Sequence, residues 1–445
     1  MKKINQVCIC GIGYVGLTLA VTMAEKNFQV TGVEIKPEIV ASINSGMPHF
    51  HETGLKSLLQ KHLHKNFAIF STIPDKKFDA FIITVGTPLK TGTKEPEFQF
   101  VQNVSKEIAN HLTDDCLVIL RSTVAIGTTR NIVLPILQKK QAQINIAFCP
   151  ERTIEGKALE ELTYLPQIIG GINQESADMA AALFQKITPA IIKVSSPETA
   201  EMVKLLDNAY RDLNFAFANE IAQICSFINV DAAEAIQSAN TQYPRTKIPS
   251  PGYVGGACLE KDPYILISSA KKYNYTPNLI KDAREIHEAL PLVVLNRIEQ
   301  LLKLYGKDIG RAKVFFTGLA FKGDPETDDL RGSPSLIFIN ALVKLNVENL
   351  FAHDFVVPEP MIKNLGLRAL SLEEGFHNAD VVIIGNNHKR YLDLNINDLA
   401  LTMKKPAIFY DSWRLFDKKQ FDNINGIHYE GLGFKNRLLG ESINE

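Results

Sequence analysis

The stretch Pro251-Gly252-Tyr253-Val254-Gly255-Gly256-Ala257-Cys258-Leu259-Glu260-Lys261-Asp262 sets three glycines just ahead of one cysteine. Glycine backbone can approach a ligand closely, and a nearby lysine, Lys261, favours the thiolate, the nucleophilic form of cysteine. Asp262 is a carboxylate near enough in sequence to serve as a base or to bind a backbone amide. These are parts for covalent chemistry on an electrophilic carbon. The alternative for any cysteine is a buried, inert thiol. Cys8, Cys10, Cys116 and Cys225 lie in apolar runs that suit that reading. Lys204 and Asn208, four residues apart, share one face of a helix, and Arg211 continues it. A solvated surface would explain that trio equally well.

A third set has a different use. Gly11-Ile12-Gly13-Tyr14-Val15-Gly16 fits G-x-G-x-x-G directly after an apolar run, and Glu34 closes the next run 34 − 16 = 18 residues later. The first glycine permits a tight turn, the second admits a pyrophosphate and the third packs helix on strand. Amides at the start of the helix then face the phosphates. A carboxylate at 34 accepts from ribose hydroxyls and repels a 2′-phosphate, which favours NAD over NADP, although Lys36 softens that preference.

The elements that must hold these groups follow from the apolar pattern. Val7–Cys10, residues 29–34, Phe81–Val85, Leu117–Leu120 and Ile144–Phe148 read as strands alternating with helices, which argues for a parallel sheet buried on both faces. Ser196, Pro197 and Glu198 form a helix start signal. The run from there to about Val230 would be roughly 50 Å long, a length suited to spanning two domains or a dimer interface. A second strand–glycine–helix–strand–acid series begins near Lys313 and ends its second strand at Asp354. The fold class is therefore α/β, with two doubly wound Rossmann-like domains joined by a long central helix and further helical segments.

Composition narrows the function. Lys plus Arg number 48 and Asp plus Glu 49 in 445 residues, so no net cationic field gathers nucleic acid or anionic lipid. Six cysteines in so long a chain make no disulfide framework and point to a reducing compartment. The opening Met1-Lys2-Lys3 is followed by Asn5 and Gln6 rather than by a signal-peptide core, and no apolar run is long enough to span a bilayer. The expectation is a cytoplasmic protein with no membrane or nucleic-acid partner. The pairs His49/His51 and His62/His64 lack a convincing third ligand, so no metal is expected.

Taken together, the motifs resemble the UDP-glucose/GDP-mannose dehydrogenase superfamily. The resemblance runs through GIGYVG, Arg121-Ser122-Thr123-Val124, Cys149-Pro150-Glu151-Arg152, and Ala200 to Lys204 with Asn208. It continues through GGACLEKD, Gly318 to Lys322, and Asp328 to Ser333. Departures are local: Val85 precedes Gly86-Thr87-Pro88, Ala125 and Gly332 stand where relatives often carry other residues, and the 323–327 loop is longer. Cys149 to Arg152 followed by Glu155-Gly156 looks more like the N-acetylhexosamine branch than the UDP-glucose branch.

The resemblance implies an N-terminal NAD-binding Rossmann domain over residues 1–196, a central helical dimerisation domain over 197–300 and a C-terminal UDP-sugar-binding domain over 301–445. It implies NAD as cofactor and a homodimer or higher homo-oligomer. The reaction implied is four-electron oxidation of the C6 alcohol of a UDP-sugar to a carboxylate. Cys258 would be the nucleophile, Lys204 and Asn208 would stabilise charge on the reacting oxygen, and Asp262, Glu151 and Thr123 would position or activate water. Cofactor contacts fall to Gly11, Gly13, Tyr14, Val15, Gly16, Glu34, Thr87, Ser122, Thr123 and Arg331. Substrate contacts fall to Glu151, Arg152, Lys204, Asn208, Tyr253, Gly255 and Lys322, with Arg245 reaching the partner subunit's substrate. The alternatives are a UDP-glucose 6-dehydrogenase, a two-electron 3-hydroxyacid-type dehydrogenase, which needs no Cys258, and a non-catalytic nucleotide-sugar sensor, which would release no NADH.

Overall fold

Short Val-, Ile- and Phe-rich runs bury both faces when helices cover them, and they do so twice in the computed structural model, which describes residues 4–435. The first sheet contains β1 (Gln6–Cys10), β2 (Gln29–Val33), β3 (Phe67–Phe70), β4 (Ala80–Ile83), β5 (Leu117–Leu120), β6 (Asn145–Phe148), β7 (Gln167–Gly171) and β8 (Ile191–Val194). Their order is β3-β2-β1-β4-β5-β6-β7-β8, and only β6 and β7 pair antiparallel. The second sheet contains β9 (Lys313–Thr317), β10 (Asn349–His353), β11 (Arg368–Ala369), β12 (Val381–Ile384), β13 (Ala407–Asp411) and β14 (Ile427–Gly431). It is parallel throughout and runs β11-β10-β9-β12-β13-β14, so its strands repeat the 3-2-1-4-5-6 order of the first six.

The two-residue period of a strand sorts each sheet's side chains into two cores. Val7, Ile9, Ile82 and Ile119 join one cluster, whereas their neighbours Cys8, Cys10, Phe81, Ile83 and Leu120 join another. In the second sheet Val314 and Phe316 face one cluster and Phe315 faces the other. The helix after the glycine turn, Tyr14–Glu25, is buried continuously from Gly16 to Ala24. A helix apolar all round must be covered on all sides.

The long helix runs Pro197–Ile228. The Ser196 hydroxyl accepts the Thr199 amide at 3.1 Å and so caps its start. Just past its end Asn229 adopts φ 60°, the left-handed conformation that stops helices. Tertiary contacts divide the chain into two units. One comprises the chain up to Ala209 with Lys261–Pro277, and the other Tyr210–Glu260 with everything from Asn278 onward. No helix among the described residues is long and apolar enough to cross a membrane.

Candidate active site

In the first unit the glycine turn sits at the carboxyl end of β1, beside the point where strand order reverses between β1 and β4. Gly11 has φ +96°, and a Cβ there would stand 2.8 Å from the Val85 nitrogen. A Cβ on Gly16 would stand 1.9 Å from the Gly11 carbonyl oxygen, so helix and turn touch only because Gly16 lacks a side chain. Gly13 differs, because a Cβ on it would meet nothing within 4 Å. The turn is therefore open to space on the side where a pyrophosphate would lie. No side chain caps the helix that begins at Tyr14, and no acidic residue lies in its first turn. An uncapped amide end with open space beside it fits a dinucleotide phosphate.

Glu34 is 8% exposed and ends the second strand's run as the spacing requires. Its Oε2 accepts the Ile12 amide at 3.0 Å and its Oε1 the Lys36 amide at 3.1 Å. Tyr14 turns its ring from the phosphate side toward Glu52, to which its hydroxyl donates. Glu52 also accepts the Gly156 and Ala158 amides at 2.7 and 2.8 Å. Burial, and behind it the Glu52 carboxylate, push the Tyr14 phenol well above its ordinary value, so it remains a donor.

Loops at the ends of β4 and β5 are knitted together. Thr87 donates to the Thr123 carbonyl at 2.6 Å and Ser122 to the Val85 carbonyl at 2.7 Å. Arg121, 2% exposed, donates to the Cys149 and Pro150 carbonyls, to Gln167 at 2.8 Å and to Glu151 at 2.6 Å. The other Glu151 oxygen accepts the Arg152 and Thr153 amides. Burial alone would raise the Glu151 carboxyl, but Arg121, the Thr153 amide and Lys204 outweigh it and hold the group below the ordinary carboxylate value. Glu151 is thus a fixed anion with both oxygens engaged. Arg152 pairs with Asp207 at 2.8 Å.

Lys204 and Asn208 both lie on the buried side of the long helix, 7% and 5% exposed. Asn208 donates its Nδ2 to Asp262 Oδ2 at 2.6 Å, and Asp262 is 1% exposed. The Lys261 ammonium lies 3.0 Å from the other Asp262 oxygen and 3.1 Å from Thr87 Oγ1. Asp262 therefore orients the Asn208 amide, while Lys261 is held by partners of its own unit. Among the described residues Lys204 has no hydrogen bond or ion pair, which leaves a buried ammonium with capacity for a further negative charge.

In the second unit Cys258 sits in a four-residue helix, Gly256–Leu259, and is exposed, whereas the other five cysteines are buried. The glycines before it are sterically required. A Cβ on Gly255 would lie 2.1 Å from the Gly332 carbonyl oxygen, and one on Gly256, at φ +89°, 2.4 Å from the Phe321 ring. Gly332 is itself close to Glu260, so a larger residue there would displace that carboxylate. The Tyr253 ring is 3% exposed within the apolar core, which leaves its backbone as the part able to meet a ligand. Lys322 follows β9 and holds its ammonium 5.4 Å from the Phe321 ring centroid. Arg331 is exposed and paired with Asp329 at 2.6 Å. Arg245 bonds Tyr243 at 2.9 Å and lies over its ring, on the surface.

The second sheet copies the first sheet's turn: Gly318, at φ +83°, would place a Cβ 2.6 Å from the Asn386 nitrogen at the end of β12. At the end of β10, Asp354 Oδ2 accepts the Leu319 and Ala320 amides and Oδ1 those of Val356 and Val357. Several residues that organise these loops stand outside the motifs as first read. Glu52 and Gln167 are polar residues whose buried partners lie 38 and 46 positions away, a distance no local pattern displays. Arg121 was visible only as the start of Arg-Ser-Thr-Val.

Models of the UDP-glucose/GDP-mannose dehydrogenase family match throughout: the NAD binding domain at residues 5–188, the central domain at 198–289 and the UDP binding domain at 315–418. A UDP-N-acetyl-D-mannosamine dehydrogenase of Campylobacter jejuni is 36% identical over 417 residues, 88% of this chain and 98% of that one. A protein of the same name from Methanococcus vannielii is 34% identical across 99% of this chain and 98% of its own. The solved structure of a UDP-D-ManNAc dehydrogenase from Pyrococcus horikoshii superposes with a TM-score of 0.84 at 31% identity, covering 96% of this chain and 99% of that one. With all three family domains in order and relatives alike from end to end, the chain belongs to the UDP-glucose/GDP-mannose dehydrogenase family of NAD-dependent nucleotide-sugar dehydrogenases.

Proposed function

We propose that this chain oxidises the C6 alcohol of a UDP-N-acetylhexosamine, UDP-N-acetylmannosamine before UDP-N-acetylglucosamine, to the uronic acid. The observation that carries the mechanism is that Cys258 is exposed while the other five thiols are buried. The Gly11–Gly16 turn would hold NAD with Glu34 on its ribose, and a bound NAD would supply the two-electron oxidant for each of two oxidations. The first leaves an aldehyde. Cys258 thiolate then adds to that carbon, the carbonyl oxygen takes the negative charge, and Lys204 with Asn208 stabilises it. Loss of a hydride from the thiohemiacetal gives a thioester. Water adds, the C–S bond breaks, and carboxylate and thiol are released. Asp262 holds Asn208 in position, and in this reading it positions or activates the water together with Glu151 and Thr123. Lys322 faces the substrate diphosphate and Arg331 the cofactor pyrophosphate in this reading. The choice of sugar rests on the names of the similar proteins and on Glu155-Gly156.

Residues 197–300 carry dimer contacts in the same proposal, with residues 1–196 binding NAD and 301–445 the UDP-sugar. Along the long helix Leu206, Tyr210, Phe217, Ile224 and Ile228 are exposed at spacings of four or seven residues. A continuous apolar stripe of this kind suits a second copy of the chain. Arg245 then reaches the partner subunit's substrate.

The test is a panel of UDP-N-acetylmannosamine, UDP-N-acetylglucosamine, UDP-N-acetylgalactosamine and UDP-glucose with NAD, counting NADH against uronate. Two NADH per uronate, fastest with UDP-N-acetylmannosamine, is the expected result. One NADH per product sinks the thioester scheme, and faster turnover of UDP-glucose sinks the choice of sugar.

A further inference from the structure

The second unit holds a buried polar cluster that has no part in the chemistry above. Asp212, Asn219, Arg284 and His287 are 0%, 0%, 2% and 2% exposed. Asn219, on the long helix, makes both hydrogen bonds that Gly252 can offer: its Oδ1 accepts the Gly252 amide at 2.9 Å and its Nδ2 donates to the Gly252 carbonyl at 2.9 Å. The same Nδ2 lies 3.3 Å from His287 Nδ1, and His287 Nε2 lies 2.9 Å from the Asp212 carbonyl oxygen. Nε2 therefore carries the proton and Nδ1 accepts, which fixes which way the Asn219 amide points. Burial, with Arg284 nearby, pushes His287 down to about 4, so it is neutral. Arg284 in turn bonds Asp212 at 2.7 Å.

Gly252 opens the glycine segment that ends at Cys258. Residues 246–255 form no helix or strand, so their backbone groups draw on partners outside any ladder. At the far end the Gly256 amide donates to the Gly332 carbonyl at 2.9 Å. At the near end the partner is the Asn219 side chain. Gly252 is also pressed on Trp413, since a Cβ there would lie 2.5 Å from the indole. Asn240 holds Ile248 earlier in the stretch. From Gly252 to Gly256 the segment is held by the bond of the Gly256 amide to backbone and those of Gly252 to one amide side chain, which the His287–Asp212–Arg284 chain orients.

We propose that Asn219 is a positioning residue for Cys258: by clamping Gly252 it sets where the glycine segment presents the thiol. The inference rests on the reading of Cys258 as nucleophile. The first oxidation needs no thiol and the second does, so loosening the clamp slows the second step selectively. A displacement of about 1 Å at a reacting group costs roughly 100-fold in rate.

The experiment uses the full chain with Asn219→Ala, the isosteric Asn219→Asp and Cys258→Ala. Asn219→Asp keeps the acceptor for the Gly252 amide but loses the donor to its carbonyl, so it breaks one of the two Gly252 bonds that Asn219→Ala breaks together. Three readouts are taken: NADH burst against uronate with the aldehyde trapped by hydroxylamine, the rate of Cys258 alkylation by iodoacetamide, and emission of Trp413, the chain's single tryptophan. Support is a first oxidation within about threefold of wild type, a second slowed by roughly 100-fold in Asn219→Ala and less in Asn219→Asp, with altered alkylation and shifted emission. Equal slowing of both oxidations, or a second oxidation at the wild-type rate, overturns the proposal. If Cys258→Ala still completes both oxidations, the nucleophile reading fails instead, and the alkylation and emission readouts judge the clamp alone. If Cys258→Ala stalls and the Asn219 variants do not, only the clamp fails.

Discussion

Replacing Arg121 with Met tests the electrostatics of the first unit directly. The methionine fills similar space with no donor and removes four hydrogen bonds, those to the Cys149 and Pro150 carbonyls at 3.0 and 3.3 Å, to Gln167 at 2.8 Å and to Glu151 at 2.6 Å, of which the Pro150 carbonyl keeps a second donor in Gln167. The Arg121–Glu151 side chains are 1% and 9% exposed, so solvent screens little. With charge centres about 4 Å apart and an effective dielectric of about 20, the lost attraction is about 4 kcal/mol. That agrees with the roughly 3–5 kcal/mol cost of breaking a buried pair. At about 2–4 °C per kcal/mol, the melting transition of this unit should fall by about 8–16 °C.

The pH dependence gives the sharper signature. In the wild type the Glu151 carboxyl is held low, so its contribution is present above the unfolded value, about 4.3, and is lost only as pH falls through the lowered folded value. Without Arg121, burial is opposed only by the Thr153 amide and Lys204, and the folded value moves above the unfolded one. Stability of the variant then improves as pH falls toward about 4, and its gap from wild type is widest near pH 7. Adding Glu151→Gln should recover most of the loss near neutrality. Calorimetry and urea titration of the wild type and the two variants between pH 5 and 8 decide the matter. A loss below about 1 kcal/mol at pH 7, or a double variant no better than Arg121→Met, refutes the reasoning.

Three further outcomes are expected. Glu34→Gln removes the charge that repels a 2′-phosphate, so the NAD:NADP ratio of kcat/KM should fall by roughly 30-fold, about 2 kcal/mol for one charged hydrogen bond; an unchanged ratio removes Glu34 from ribose recognition. Gly16→Ala forces a Cβ to 1.9 Å from the Gly11 carbonyl, and calorimetric NAD titration should show binding lost, so normal affinity would contradict the described turn. Mass spectrometry after brief iodoacetamide treatment of the native protein should find one label per chain, on Cys258, and six after denaturation; labelling of Cys149, whose thiol burial pushes up to about 12, would contradict the packing.

Much of the fold was legible because periodic burial leaves periodic sequence. The strand–glycine–helix units and the helix from Ser196 announced themselves through alternation, glycine spacing and a capping signal. β7 and β8 did not. Gly170 and Gly171 close β7 and look like turn residues in sequence, yet a Cβ on Gly170 would lie 2.3 Å from the Ser196 carbonyl oxygen, so the glycine lets the start of the long helix approach the sheet closely. In the site, the glycine turn could be read from spacing and Cys258 stood out by its glycine setting, whereas only the family resemblance separated Lys204 from a solvated helix face. The role of Asn219 could not, because its partners Gly252 and His287 stand 33 and 68 positions away and only the folded chain joins them.

The repeated strand order has a consequence at the two acids that end β10 and follow β2. A carboxylate offers about four lone-pair positions. Glu34 gives two to backbone amides and keeps two, enough for the paired hydroxyls of a ribose. Asp354, at the matching place in the second sheet, gives all four to the amides of Leu319, Ala320, Val356 and Val357. Its acceptor capacity is saturated, so it braces the loops around β9 and β10 and has nothing left for a sugar hydroxyl. In the proposed reading one architecture thus yields a ribose acceptor after β2 and a strut after β10, which leaves nucleotide recognition by the second sheet to cations and backbone donors.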